Sequence, residues 1–399
     1  MRSVLIAGAG PAGAATAYLL ARRGVPVTLV ERERDLERVF RGEALMPSGM
    51  DALHQMGLGA AVRALPGRPL ACWEVFLDGR EILHVEEPAG ELGDLALRVV
   101  SQPALLRLLI AAARAASPVF RFVDGAGVRD LVRDGSGRVR GVRVSTLAGE
   151  SLLEADLTLG CDGRASTLRR RADLPLALLP ESYDVLWFKL PAPEGLADRA
   201  PIQIYASGAD VALGYVSWDG RLQLAWMIEK GSWRALRERD WLPALLRLLP
   251  EPLAAHVRAR AAELEGPVLL DVVVGRCPRW WMPGLLLLGD AAHPMSPVRA
   301  QGINVALRDA IVAANHLVPV LRAGAQPDAL DRAAAAIEAE RREEIIAMQA
   351  LQTERGKNFD RTPGPIMLRV FAWMLARRQL MRLLLRRRRP FGRGLAEVQ

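Results

Sequence analysis

An α/β fold is what this 399-residue sequence predicts, and three observations predict it. The chain opens on a short apolar run, Val4 to Ala7, that passes through GAGPAG, Gly8 to Gly13, into an alanine-rich helical stretch, Ala12 to Arg23. Two further apolar runs, Leu152 to Leu159 and Leu285 to Leu288, end in glycine–aspartate turns, as buried parallel strands do where an open sheet meets a ligand. Residues 182 to 230 are strand-rich, and Leu222, Leu224, Trp226 and Ile228 alternate with Gln223, Ala225 and Met227, the period of a half-buried sheet.

The first unit reads as strand, tight turn and helix. Gly8 allows the turn, Gly10 lets a pyrophosphate approach the backbone, and Gly13 lets helix and strand pack closely. Pro11 and Ala12 open a helix whose N-terminus offers N–H groups and a positive dipole end to that phosphate. Val25 to Val30 reads as the second strand, ending at Glu31 and Arg32. A carboxylate about 20 residues beyond the glycines is placed to accept hydrogen bonds from a ribose. This is a Rossmann-like unit, and by itself it does not say which dinucleotide is held. Gln102 begins a helix, Pro103 to Ala115, and residues 118 to 159 hold alternating strands broken by the turn Asp134-Gly135-Ser136-Gly137. Gly302, Ile303 and Asn304 open a helix running towards Leu321, and Asp328 to Gln352 and Pro365 to Leu385 read as C-terminal helices.

GAGPAG, GCDGRASTLR (Gly160 to Arg169) and GDAAHPMSP (Gly289 to Pro297, followed by QGIN), in this order, resemble the FAD-dependent aromatic hydroxylases, the class A flavoprotein monooxygenases typified by para-hydroxybenzoate hydroxylase. The resemblance spans residues 3 to 310 and implies noncovalent FAD rather than NAD at the fingerprint. It places Asp162 near the flavin ribityl chain and the nicotinamide-cofactor pyrophosphate. Arg169 matches the arginine that closes the family motif. Gly289 and Asp290 fall at the ribityl hydroxyls. Backbone N–H groups of Gly302, Ile303 and Asn304 fall at the flavin pyrimidine edge, where they stabilise negative charge on the reduced ring. Arg41, in RGEALMPSG, Gln102 and Val128 complete the cofactor set. His293, Pro297 and Arg299 fall nearest the flavin and are the candidate catalytic positions, with His293 also readable as structural. No metal site is expected.

Family members usually read P-x-G-G-Q-G-x-N after the third motif, whereas this chain has Arg299 and Ala300 at the two glycines. Three readings of the guanidinium stay open: it favours an anionic substrate, raises the flavin potential, or points to solvent. The resemblance implies that NAD(P)H reduces FAD, that O2 forms a flavin C4a-hydroperoxide, and that this hydroxylates an electron-rich aromatic ring. Trp187, Tyr205, Tyr215 and Trp226 are the aromatic candidates for the substrate pocket, and a tyrosine such as Tyr205 or Tyr215 is a candidate for deprotonating the substrate. A reductase of prenyl or other apolar substrates is the alternative, although its third motif usually ends GDAAG rather than GDAAHP. A flavin-dependent halogenase is a poor fit: its W-x-W-x-I-P lacks the first Trp and the Pro here, at Leu224 and Glu229, and no lysine precedes Lys189. A non-catalytic flavin-binding protein is the third class.

The expected organisation is a discontinuous FAD-binding domain (1–70, 96–180, 272–325), a substrate domain (71–95, 181–271) and C-terminal helices (326–399). Cys72, Cys161 and Cys277 are scattered and odd in number, which suits a reducing, cytoplasmic setting. The net charge of +8 is local: residues 361 to 393 carry ten arginines and no acid, so the rest of the chain sums to −2. Three lysines against 50 arginines is a compositional bias, and no nucleic-acid motif accompanies it. Pro365 to Leu385 with Arg386 to Arg389 reads either as an amphipathic helix on an anionic membrane or as a final helix packed on the FAD domain. Oligomeric state is not legible.

Overall fold

The computed structural model describes residues 1–37, 42–87 and 89–359. A six-stranded sheet forms the first core, in the order Trp281–Met282, Leu285–Leu287, Leu157–Gly160, Val4–Ala7, Val27–Val30, Arg121–Val123. All its neighbours pair parallel except Trp281–Met282, which turns back antiparallel on Leu285–Leu287. Val4–Ala7, Leu157–Gly160 and Leu285–Leu287 are buried at every position, as parallel strands are when both faces are covered. The Pro11–Arg22 and Gln301–Arg322 helices pack on this sheet and on each other.

The run Leu152 to Leu159 is not one strand. Gly149–Glu154 joins an antiparallel three-stranded sheet with Val139–Thr146 and Gly127–Arg133, while Leu157–Gly160 enters the parallel sheet. The break falls at Asp156, whose carboxylate accepts from Ser3 N at 2.8 Å and from Arg2 Nη1 at 2.7 Å. A polar anchor to the chain start ends one ladder and sets the register of the next.

The second core belongs to a seven-stranded sheet, in the order Glu265–Leu270, Tyr183–Pro191, Arg221–Glu229, Asp210–Val216, Pro201–Ser207, Cys72–Leu77, Arg80–Glu86. The strand at Arg221–Glu229 was expected to be half-buried, yet Gln223 is buried as completely as Leu222 and Leu224. Both faces are covered here. Leu245, Leu253 and Val257 from the short helices Leu242–Leu246 and Glu251–Ala259, with Leu249 between them, close one face. Residues of the first unit, Ala44, Met46, Val99 and Val298 among them, close the other.

The long helix Pro327–Phe359 lies behind the third motif. Among the described residues, no helix is long and apolar enough to cross a membrane. The Pro365 to Leu385 segment and Arg386 to Arg389 lie outside the described residues.

Candidate active site

Parallel pairing of Val4–Ala7, Leu157–Gly160 and Leu285–Leu287 brings all three glycine–aspartate loops to one end of the sheet. The contacts there leave no room for side chains. A Cβ on Gly13 would lie 1.9 Å from Gly8 O, and one on Gly8, at φ +98°, would lie 2.4 Å from Cys161 O. A Cβ on Gly10 would meet nothing within 4 Å, so the backbone there faces open space, as a pyrophosphate requires. The Pro11–Arg22 helix has Gly10 at its N-cap and no side-chain cap. Its first N–H groups are therefore left to a ligand or to water.

Glu31 is buried and braces this loop. Its Oε2 accepts from Ala9 N at 2.8 Å and its Oε1 from Glu33 N at 3.2 Å. Carboxylate oxygens accept more than one hydrogen bond, so bracing and ribose binding are compatible. Arg32 is exposed and pairs with Glu33. Val128 is half-buried on the Gly127–Arg133 strand. Asp162 organises its own loop: Oδ1 accepts from Ser166 Oγ at 2.5 Å, and Oδ2 from the N–H groups of Thr167 and Leu168 at 2.7 and 3.0 Å. Arg169 is buried and ties the second motif to the third, donating to Arg164 O at 2.7 Å and to Ala291 O at 2.9 Å.

Asp290 follows the parallel strand, with its side chain 40% exposed. Its Oδ1 stands 4.0 Å from where a Cβ on Gly302 would be, so the carboxylate reaches the N-terminus of the Gln301–Arg322 helix. That helix also lacks a side-chain cap. The Asn304 side chain does not reach out to a ligand. Nδ2 donates to Ala300 O at 2.6 Å and Ala44 O at 3.3 Å, and Oδ1 accepts from Met46 N at 2.9 Å. It locks the segment after Arg41 onto the helix, and the first backbone N–H groups of that helix receive no side-chain cap. Gln102 is buried at its helix start and donates to Gly42 O at 3.3 Å. Arg41 itself lies outside the described residues.

The two positions that depart from the family glycines keep the glycine backbone. Arg299 has φ 68° and ψ 16°, and Ala300 has φ 51° and ψ 41°. Both are left-handed, a conformation costly for residues with a Cβ. Pro297 is half-buried and leads into this turn.

His293 must be withdrawn from the catalytic candidates. It is 1% exposed, its Nε2 lies 2.8 Å from Asp309 Oδ2, and its ring packs on Trp280 at 4.8 Å. Burial would push Asp309 up, but the His293 imidazole and the Arg341 guanidinium outweigh it and hold the carboxyl at about 2. Asp309 also accepts from Gly289 N at 3.2 Å, so this buried network supports the third motif from beneath.

Two of the four aromatic pocket candidates are corrected by sheet register. Side chains alternate across a strand, and paired residues share a face. Trp187, Ala225, Leu213 and Ile204 pair in one row, and Tyr215 pairs with Gln223 and Ile202 on the same face, towards Ala44, Met46 and Val298. Tyr205 and Trp226 lie on the opposite face, under the short helices with Phe188 and Leu245. The residues missed from sequence are Glu43, Lys189, Ser217 and Asp219, a polar group where the RGEALMPSG segment meets the sheet. Ser217 Oγ donates to Glu43 Oε2 at 2.7 Å, and Lys189 Nζ lies 3.9 Å from Glu43 Oε1 and 2.7 Å from Asp219 Oδ2. A signal existed: Lys189 is one of three lysines in a chain with 50 arginines.

A glycine cradle open at Gly10, a ribose-side carboxylate, a second exposed carboxylate and two uncapped helix N-termini fit a flavin dinucleotide. These features define a dinucleotide-binding protein, and the family comparison says which dinucleotide. A family model described as "FAD binding domain" matches residues 1–350, and the chain belongs to that family. Its cofactor is FAD, and it is an FAD-dependent monooxygenase of the aromatic hydroxylase type. The chain is 35% identical over 358 residues to 6-methylpretetramide 4-monooxygenase of Streptomyces rimosus, covering 89% of this chain and 83% of the relative. Among solved structures, p-nitrophenol 4-monooxygenase PnpA of Pseudomonas putida superposes with a TM-score of 0.81 at 20% identity, covering 100% of this chain and 99% of that one. PqsL of P. aeruginosa, in complex with 2-aminobenzoylacetate, gives 0.76 at 24% identity over 93% and 99%. At these identities the two structures speak for the fold.

Proposed function

We propose that this enzyme hydroxylates an electron-rich, polycyclic aromatic small molecule, with NAD(P)H as electron donor and O2 as oxygen source. One observation carries the substrate class: the sheet face turned to the FAD unit is apolar and aromatic, with Trp187 and Leu213 spanning its two clusters and Trp73 and Met227 partly buried beside them. A flat apolar ring system suits such a surface. The relative from Streptomyces rimosus, named for 6-methylpretetramide, supports the same class.

FAD, when bound, supplies the redox chemistry and the activation of oxygen. The chain's residues bind, orient and shield. Gly8, Gly10 and Gly13 give the pyrophosphate its backbone, Glu31 the ribose, and Asp290 the ribityl chain. The N–H groups of Gly302 and Ile303, at the positive end of a 22-residue helix, are placed to stabilise negative charge on the ring. The seven-stranded sheet closes over this loop and excludes water. Binding is noncovalent on this reading: His293 is already engaged, and Cys72, Cys161 and Cys277 are buried. The division into an FAD-binding domain and a substrate domain at residues 71–95 and 181–271 is part of the same proposal.

The test is oxygen uptake and NAD(P)H oxidation by the purified protein with and without polycyclic phenols. Stimulation of both, with a product one oxygen heavier, is expected. NAD(P)H oxidation without incorporation into any phenol, or reduction of a prenyl substrate without oxygen uptake, overturns it. Whether residues beyond 359 touch an anionic membrane is decided by vesicle co-sedimentation of the full chain at low and high salt.

A further inference from the structure

Hydroxylating a phenol is easier on its phenolate, so a buried chamber needs somewhere to send the phenolic proton. The Tyr183 hydroxyl is engaged with Ser296 Oγ at 2.6 Å, and the two tyrosines named as candidates do not serve. Tyr205 is on the far face, and the Tyr215 hydroxyl accepts from Gln223 Nε2 at 2.9 Å and is pushed well above its ordinary range by burial and by the charges of Glu43 and Asp219. His293 is locked to Asp309. Glu43 remains. It is carried by the segment that turns into the Ala44–Leu45 strand, and Ala44, Met46, Trp187 and Tyr215 pack together there under the sheet. Asn304 clamps this same segment to the flavin-side helix through Met46 N and Ala44 O.

Exposure rises along a line outward. The side chains of Glu43, Lys189 and Asp219 are 7%, 12% and 25% exposed, at successive separations of 3.9 and 2.7 Å. Ser217 fixes the other carboxylate oxygen, and the Lys189 ammonium also lies over the Trp218 ring. Among the described residues, the charged and titratable groups around Glu43 are Lys189, Asp219 and Tyr215. Arg98, on the strand paired with Ala44–Leu45, donates instead to Arg63 O.

We propose that Glu43 is the proton acceptor of the substrate chamber, and that Lys189 and Asp219 are its route to solvent. The phenolic O–H bond breaks, its electron pair stays on the phenolate oxygen, and the proton passes to the Glu43 carboxylate. The Lys189 ammonium gives one of its protons to water on the Asp219 side, and the amine so formed takes the proton from Glu43, which restores both the ammonium and the carboxylate. Burial pushes the Glu43 carboxyl up to about 7, against the Lys189 charge and the Ser217 hydroxyl, which suits a group that takes and returns a proton near neutrality. The inference rests on the phenolic-substrate reading above.

The experiment uses the FAD-loaded full chain and 1,8-dihydroxyanthraquinone, a polycyclic phenol whose visible absorption changes on ionisation, without NAD(P)H. After a stopped-flow pH jump from 6 to 9, the bound dye is expected to ionise faster than it dissociates. Glu43→Gln should slow that change at least tenfold with FAD content retained, Glu43→Asp should keep most of the rate, and Lys189→Met should slow it as well. If Glu43→Gln proves unable to hold FAD, the Lys189→Met rate decides. An unchanged rate in the decisive variant overturns the proton route and leaves the substrate reading intact. A dye that does not bind the parent overturns the polycyclic-phenol reading, and this inference with it.

Discussion

Asp290 and Glu31 both carry carboxylates at the cofactor loops, but the structure gives them different surroundings. Glu31 is buried and holds Ala9 N; Asp290 is partly exposed, 4.0 Å from Arg164 Nε and facing the start of the Gln301–Arg322 helix. Asp290→Ala should therefore weaken FAD binding with little effect on folding. A hydrogen bond to a charged acceptor is worth roughly 1.5–3 kcal/mol, or about tenfold to over a hundredfold in Kd. Glu31→Ala should weaken FAD and also lower the melting temperature of the apoprotein, because the turn loses its brace. Fluorescence titration of FAD and thermal unfolding of both apoproteins separate the two effects. Glu43 gives a pH signature. Its folded-state pKa, about 7, is raised from 4.5, so its stabilising contribution is complete below 4.5 and is lost as pH rises through 7. The loss amounts to about 3 kcal/mol at 1.4 kcal/mol per pH unit. Relative to the parent, Glu43→Gln should gain stability from about pH 4.5 to about pH 7 and level off above that; a constant difference would show that the carboxyl ionises freely.

At the scale of elements, the loop from Gly289 to Ala300 is held from behind by the Pro327–Phe359 helix. Gln349 Nε2 donates to Gly275 O at 2.6 Å and Pro294 O at 3.3 Å, and Gln352 Nε2 to Ser296 O at 3.1 Å and Val298 O at 2.9 Å. Tyr183 on the substrate sheet meets Ser296 Oγ at 2.6 Å from the front. This double support explains how Arg299 and Ala300 stay left-handed without glycine. Ala300→Gly should relieve roughly 1 kcal/mol of backbone strain and raise the melting temperature. Arg299→Gly should keep FAD content near that of the parent but change the flavin midpoint potential, substrate affinity or uncoupled peroxide release. All three unchanged would mean that the guanidinium serves neither flavin nor substrate. Deeper in the same helix, Arg341 bonds Asp309 and Glu344, both buried. Arg341→Met leaves Asp309 only His293 and Glu344 only Arg308 as charged side-chain partners and should cost up to about 3–5 kcal/mol, read as a fall in unfolding temperature.

For the whole molecule, parallel pairing gathers loops from the first 31 residues, the middle and residues 289 to 304 at one end of the sheet, where the proposed FAD site lies. A ligand held by such distant segments stabilises the fold as a unit. FAD at 100 times its Kd should add about 2.7 kcal/mol, visible as a higher melting temperature of holoenzyme over apoenzyme. Acid precipitation should release the flavin to the supernatant; colour retained in the pellet would show a covalent link.

The sequence by itself determined the nucleotide-binding unit, because close backbone approach admits only glycine at Gly8 and Gly13, and a local strand–turn–helix carries the whole signal. It also determined the loops around Asp162 and Asp290, which sit directly after apolar strands. Tertiary structure decided what depends on pairing between distant segments. Whether an aromatic faces the flavin or the far core is set by register, and the alternation that names two faces does not say which one meets the first unit; Trp187 and Tyr215 fell on one side, Tyr205 and Trp226 on the other. His293 lies inside the third motif, yet Asp309, sixteen residues on, turned it inward. Glu43, Lys189, Ser217 and Asp219 carry no motif, and only the fold brings them into hydrogen-bonding and ion-pairing reach.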